Sequence, residues 1–289
     1  MKNVVLRTVV QLAGVAVVSA VGDQAASALD GHGWAVLVVG LATAVAALAV
    51  YRALVRWTEH RQAVEIGPDG RGRGLAVGTG VGVAMFAVVI AVVALLGDYS
   101  VAGAHLTAGV AGFVGLMAAA AVTEELTFRG VLFRVLERGL GTWLALAATS
   151  VLFGALHLVN PDATVWGALA IAVEAGGMLG AAYVATRSLW LPIGLHFGWN
   201  FAESAIFSTA VSGNGASHGW LDATTSGSTL VTGGTFGPEA GLPSIVVCLA
   251  VAAVLLVVAR RRGRIVPRTT RAARLAGAGT VPAVSTASR

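Results

Sequence analysis

The chain has 289 residues with a formal charge of +5; 56% are apolar, only 11% are charged and the mean hydropathy is +0.82. Ordinary soluble domains carry about 25% charged residues, and disorder requires low hydrophobicity with high charge, so both classes are excluded. The single cysteine, Cys248, excludes an internal disulfide and matches no zinc- or haem-binding spacing.

A bilayer core of about 30 Å takes around 20 mostly apolar residues per helix. Eight stretches qualify in chain order: Val4–Ala25, Gly33–Val55, Gly74–Leu96, Leu106–Val135, Thr142–Val159, Thr164–Arg187, Leu191–Phe207 and Leu242–Ala259. The predicted fold class is therefore an all-α polytopic transmembrane helix bundle, with residues 1–262 forming one integral domain. Lys2 and Arg7 before an apolar run, followed by Ala26-Ser27-Ala28, also fit a cleavable signal peptide, which leaves seven spans and the same orientation for the rest.

All but one of the 19 Lys and Arg fall on one side of this arrangement. Lys2 and Arg7 precede the first span; Arg52, Arg56, Arg61, Arg71 and Arg73 follow the second; Arg134 and Arg138 follow the fourth, and Arg187 the sixth. Eight more, from Arg260 to Arg289, follow the eighth. The positive-inside rule makes that side cytoplasmic, so both termini are predicted inside a multi-pass protein of the cell membrane. The bilayer rather than nucleic acid is the partner of the basic charge. Ser208–Gly241, rich in Gly, Ser and Thr, reads as an external loop without a motif. Residues 263–289 read as a basic, disordered cytoplasmic tail that touches anionic headgroups.

Ionisable groups inside a bilayer are costly and mark function. They cluster in spans four to seven: Glu124, Glu125 and Arg129, then His157, then Glu174, then His196, Asn200 and Glu203. At about 1.5 Å per residue, Glu124 and His157 lie roughly 24 and 26 Å from the turn at Gly139-Leu140-Gly141, level with each other. The same arithmetic puts Glu174 and Glu203 about 21–23 Å deep, but His196 only about 10 Å, too shallow for a shared site. His196, Asn200 and Glu203 fall at i, i+4 and i+7 on one helical face. Glu125 and Arg129, four apart, form an intrahelical pair that leaves Glu124 available. The bland alternative for His196 and Asn200 is plain helix–helix hydrogen bonding; Glu174 and Glu203 can shape a wet cavity, bind a cation with His157, or stay protonated and hydrogen-bonded. Gly176, Gly177 and Gly180 read as small packing positions. There is no GxSxG and no HExxH, so serine-nucleophile and zincin chemistry are disfavoured.

With their neighbours these residues read Glu124-Glu125-Leu126-Thr127-Phe128-Arg129, Phe153-Gly154-Ala155-Leu156-His157 and His196-Phe197-Gly198-Trp199-Asn200. In that order they resemble the EExxxR, FxxxH and HxxxN motifs of the CPBP family of intramembrane metalloproteases, which includes type II CAAX prenyl endopeptidases and bacteriocin-processing, Abi-like relatives. The resemblance covers Leu116 to Phe201, within a protease core of about 106–207. It implies Glu124 as general base for a water, His157 as the group that helps hold it, His196 and Asn200 as the oxyanion pair, and Glu125 and Arg129 as support. It leaves the cofactor open between a divalent metal such as zinc and none; Glu124, His157 and His196 would supply a His₂Glu ligand set.

The expected function is an intramembrane endopeptidase acting on a membrane-associated peptide or protein, with cleavage in the cytoplasmic half of the bilayer. A carboxylate in a low-dielectric cavity suits base catalysis near neutrality, and an imidazole and a carboxamide four residues apart on one helix can face one atom. The rival readings are a proton-coupled membrane transporter and a non-catalytic, bacteriocin-immunity-type membrane protein.

Overall fold

The computed structural model describes residues 3–268. Among these residues eight helices form the bundle: α1 (Val4–Ser27), α2 (Gly33–Glu59), α3 (Arg71–Leu95), α4 (Ala108–Leu140), α5 (Thr142–Leu156), α6 (Val165–Thr186), α7 (Trp190–Phe201) and α8 (Leu242–Arg261). Seven are long and apolar enough to cross a membrane. The exception, α7, has 12 α-helical residues continued by π-helical turns over Ala202–Ile206, and it is the helix that carries HxxxN. The all-α polytopic expectation holds. Residues 269–289, most of the expected basic tail, lie outside the described residues. Its first part is attached to the bundle, because Thr142 N donates to Val266 O (2.9 Å) and Val266 N to Thr142 Oγ1 (2.8 Å).

Small residues set the helix contacts. Without water to drive apolar helices together, close backbone packing holds them, and that needs residues with little or no side chain. Gly74, Gly78 and Gly82 form a stripe on α3 against Trp190, Leu191 and Leu195 of α7, while Gly194 and Gly198 of α7 face Leu75, Gly78 and Thr79 in return. A Cβ on Gly78 would stand 2.6 Å from the Leu191 carbonyl oxygen. Gly78→Leu is therefore expected to cost about 1–3 kcal/mol by overpacking and to shift α7. A lowered melting temperature in detergent, with weakened activity, checks this; an unchanged melt would show that the two helices part freely. In α6, Gly176 and Gly180 pack on Ser150 and Leu146 of α5 as expected, but a Cβ on Gly177 would meet nothing within 4 Å among the described residues beyond its own helix.

One end of the bundle gathers the basic side chains with three carboxylates. Glu59 accepts from Arg134 Nη1 (2.7 Å), Arg61 Nε (2.9 Å) and Gln11 Nε2 (2.9 Å). Glu65 takes both Arg61 nitrogens (2.9 and 2.8 Å) and the Tyr51 hydroxyl. Glu137 takes Arg187 (2.5 and 3.0 Å) and Thr142 Oγ1 (2.5 Å). Burial alone would raise the Glu65 carboxyl, but the hydrogen bonds from Arg61 and Tyr51 outweigh it and hold it below its ordinary value. A carboxylate lowered on folding contributes stability above its unfolded value, and that stability is lost as pH falls through the folded one. The melting temperature is thus expected to fall on acidification below about pH 4.5, with a shallower fall in Glu65→Gln. Equal slopes for the two proteins would remove Glu65 from the acid response.

The opposite end is structured, unlike the plain external loop expected over Ser208–Gly241. Two strands, β1 (Tyr99–Ala104) and β2 (Leu221–Thr225), pair antiparallel with a register shift at Val101/Gly103. The rest folds back onto the helices. Asn160 Nδ2 donates to Ser212 O (2.6 Å), Gly213 N to Phe236 O (2.7 Å) and Trp166 Nε1 to Ala240 O (2.8 Å). Phe236 is buried against Phe128, Phe153 and Ile171. An apolar residue within a polar loop found a place in the core, which composition averaging over the loop conceals.

Candidate active site

Three of the helices that carry the polar residues depart from α geometry at the depth of those residues. π-Helical turns run over Leu126–Phe133 in α4, Ala172–Gly176 in α6 and Ala202–Ile206 after α7. Such turns are rare and favour functional sites, because they re-aim side chains and free carbonyls.

Arg129 uses those carbonyls. Its Nη1 donates to Glu125 Oε1 (2.6 Å), and its Nη2 donates to Ala175 O (2.9 Å) and Gly176 O (3.1 Å) at the end of the α6 π-turns. Its guanidinium lies 5.0 Å from the Phe153 ring centre. The expected intrahelical pair is present and completely enclosed, with Glu125 0% and Arg129 2% exposed.

Glu125 has a second partner. His196 Nδ1 lies 3.1 Å from the same Oε1, so an ionised Glu125 accepts the Nδ1 proton and fixes the ring. His196 Nε2 then faces Glu124 Oε2 at 3.8 Å. Glu124, unlike its neighbour, is 35% exposed, and it opens into a cavity of about 600 Å³. His157 is anchored similarly: Nδ1 lies 2.8 Å from the Phe153 carbonyl oxygen, which can only accept. In the neutral ring its Nε2 is therefore the free acceptor.

Glu124, His157, His196 and Asn200 all line the one cavity, and Glu174 joins them. The shallow depth expected for His196 is corrected by the start of α7. Leu189 is fully buried, with its N–H on Glu65 O (2.8 Å), and Trp190 Nε1 donates to Gly67 O (2.7 Å). The segment 64–67 underlies α7, so the helix begins inside the bundle and not at its surface. Glu203 differs from expectation: it is fully buried and outside the cavity lining, next to Glu239 and Trp199. The backbone closes i→i+5 from Ala202, which breaks the α-helical phase that would align Glu203 with His196 and Asn200.

A further acid of the lining escapes the sequence reading. Glu239 is brought in by the folded-back loop, where it accepts from Ser212 Oγ (2.6 Å) and Trp199 Nε1 (3.2 Å). Its only sequence signal is a lone acid flanked by Phe236-Gly237-Pro238 and Ala240-Gly241-Leu242. Cys248 is buried in the wall of the same cavity. Among the described residues no three His, Cys, Asp or Glu side chains are grouped as a ready ligand set for a metal ion, Glu124, His157 and His196 included.

No curated protein and no solved structure matches the chain. Residues 106–202, about a third of the chain and the part that holds all three motifs, match the family model described as Type II CAAX prenyl endopeptidase Rce1-like. The chain is thus a multi-pass membrane protein whose segment from α4 to α7 is similar to the Rce1-like family of type II CAAX prenyl endopeptidases.

Proposed function

We propose that the protein is an intramembrane endopeptidase in which Glu124 activates a water for attack on a peptide carbonyl. The observation that carries this reading is the placement of His196 between two unlike glutamates. Glu125, paired with Arg129, holds its Nδ1, while Nε2 and the open Glu124 carboxylate stand 3.8 Å apart at the cavity wall. A water at ordinary hydrogen-bond distance of about 2.8 Å from both fits that gap.

Glu124 takes the water proton as the hydroxyl adds to the carbonyl carbon, and later passes it to the leaving amine. Asn200 Nδ2 donates to the developing oxyanion. His196 joins it from Nε2 when the ring carries both protons, a state that an ionised Glu125 beside Nδ1 favours. His157 Nε2 accepts from the water or the incoming amide across the cavity. Each imidazole has one nitrogen fixed and one available, which catalysis requires and mere helix packing does not.

The test is hydrolysis of quenched-fluorescent peptides by the purified protein in proteoliposomes, with metal content measured in the same sample. The expected result is cleavage that survives chelation of the metal-depleted protein. Loss of cleavage on chelation, with recovery on adding zinc, would replace the carboxylate-activated water by a metal-bound one. Ion or solute flux without cleavage would favour the transporter.

A further inference from the structure

We infer that the cavity opens on the non-cytoplasmic face of the membrane and receives an internal, neutral or basic segment of an extracytoplasmic polypeptide. The chemistry rests on the peptidase reading; the direction rests on where the cavity mouth and the cationic residues lie.

Besides Leu156 on α5, the exposed residues of the lining are Asp23 near the end of α1 and Asn214 and Ala216 of the folded-back loop, with Asn160 just after α5 half-buried beside them, and these mark the mouth. These belong to the end of the bundle that carries β1 and β2: Asn160 holds Ser212 O, and His105 N donates to Trp220 O next to β2. The cationic residues converge at the other end, where Arg61, Arg134 and Arg187 meet Glu59, Glu65 and Glu137. The positive-inside rule makes that end cytoplasmic. Between it and the site the interior is filled: Tyr51, Leu126, Phe133, Tyr183 and Leu189 are buried in one cluster. The expectation of cleavage in the cytoplasmic half is thereby reversed, since a peptide enters from the outer end.

The lining also selects the ligand. Among the described residues that line the cavity there is no Lys or Arg, while Asp23, Glu124, Glu174 and Glu239 supply carboxyl groups. The nearest guanidinium, Arg129, is enclosed and occupied by Glu125 and two carbonyls. A free carboxyl terminus entering this cavity would meet Asp23 and Glu239, with no Lys or Arg to offset them and with the His196 ring already held by Glu125, a placement that desolvation makes unfavourable. An internal segment presents only amides, and a basic side chain on it meets opposite charge at Asp23 or Glu239.

The experiment has two arms. In a Cys248→Ala background, Asn214→Cys and, separately, Ala216→Cys place a thiol at the exposed mouth, and Arg71→Cys places one at the exposed basic end. Sealed right-side-out vesicles are treated with a membrane-impermeant maleimide. Labelling of the two mouth cysteines, with Arg71→Cys reacting only after permeabilisation, is the expected result. The reverse pattern, or mouth cysteines that stay unlabelled after permeabilisation, overturns the proposed direction. In the second arm, soluble quenched-fluorescent peptides are added outside vesicles that contain the wild-type protein or Glu124→Gln. Expected is cleavage by the wild type alone, faster for a Lys-bearing than an Asp-bearing interior, and unaffected by amidation of the peptide's carboxyl terminus. Loss on amidation, or preference for Asp, overturns the substrate class. Cleavage confined to sealed inverted vesicles overturns the direction and leaves the peptidase standing. Absence of cleavage in both vesicle types and in detergent overturns the peptidase and the substrate class with it, while the labelling decides the direction on its own.

Discussion

Glu124→Gln is expected to reduce peptide hydrolysis by about 10²–10⁴-fold, the usual contribution of a positioned general base, with little change in stability. Glutamine keeps the length and shape of the side chain and can still hydrogen-bond a water, but it cannot remove a proton. The side chain is 35% exposed and its nearest cationic partner, His196 Nε2, is 3.8 Å away, so no buried charge pair is broken. Glu124→Asp sharpens the test, because it retains the carboxylate and withdraws it by one methylene. Partial activity in Asp and none in Gln is the signature of a base whose reach matters. Turnover by Glu124→Gln within a few-fold of wild type, at an unchanged melting temperature, would sink the base assignment and pass the proton to His157 or His196.

What the sequence makes legible here follows from local rules. Eight apolar stretches became eight helices because each must satisfy its own backbone in lipid, and the EExxxR, FxxxH and HxxxN residues came to one cavity. The i, i+4 pair of Glu125 and Arg129 was readable from spacing alone. The illegible part lies where local rules stop. Hydrophobic periodicity carries no mark of a π-turn, so the loss of phase at Ala202 that takes Glu203 out of the cavity lining was invisible. The depth of His196 depended on residues 64–67 underlying α7, a contact between segments more than a hundred residues apart. Glu239 reached the cavity only because Phe236 anchors its loop in the core. Nothing in the sequence pairs Glu59, Glu65 and Glu137 with Arg134, Arg61 and Arg187, because those pairings exist only once the helix ends meet.

Arg129→Met is expected to destabilise the protein by about 3–5 kcal/mol, the range for removing one partner of a buried ion pair. Three acceptors lose a donor: Glu125 Oε1, left with His196 Nδ1 alone, and the carbonyls of Ala175 and Gly176. Glu125 is 0% exposed and its Oε2 has no hydrogen-bond partner among the described residues, so its charge has no solvent to fall back on. Arg129→Lys is expected to rescue poorly, because one ammonium does not reproduce a planar fork that spans a carboxylate and two carbonyls. The double variant Glu125→Gln/Arg129→Met separates support from catalysis. Removing both charges deletes the desolvation problem, so its melting temperature is expected to recover most of what Arg129→Met loses. Its hydrolysis is expected to stay depressed, because a neutral carboxamide in place of the Glu125 carboxylate no longer favours the doubly protonated His196 that presents Nε2–H to the oxyanion. A readout of kcat against KM then isolates the positioning effect: kcat falls while KM holds, since Glu125 and Arg129 do not line the cavity. If the double variant regains both melting temperature and kcat, the pair serves the fold alone and His196 does not depend on Glu125 for its role.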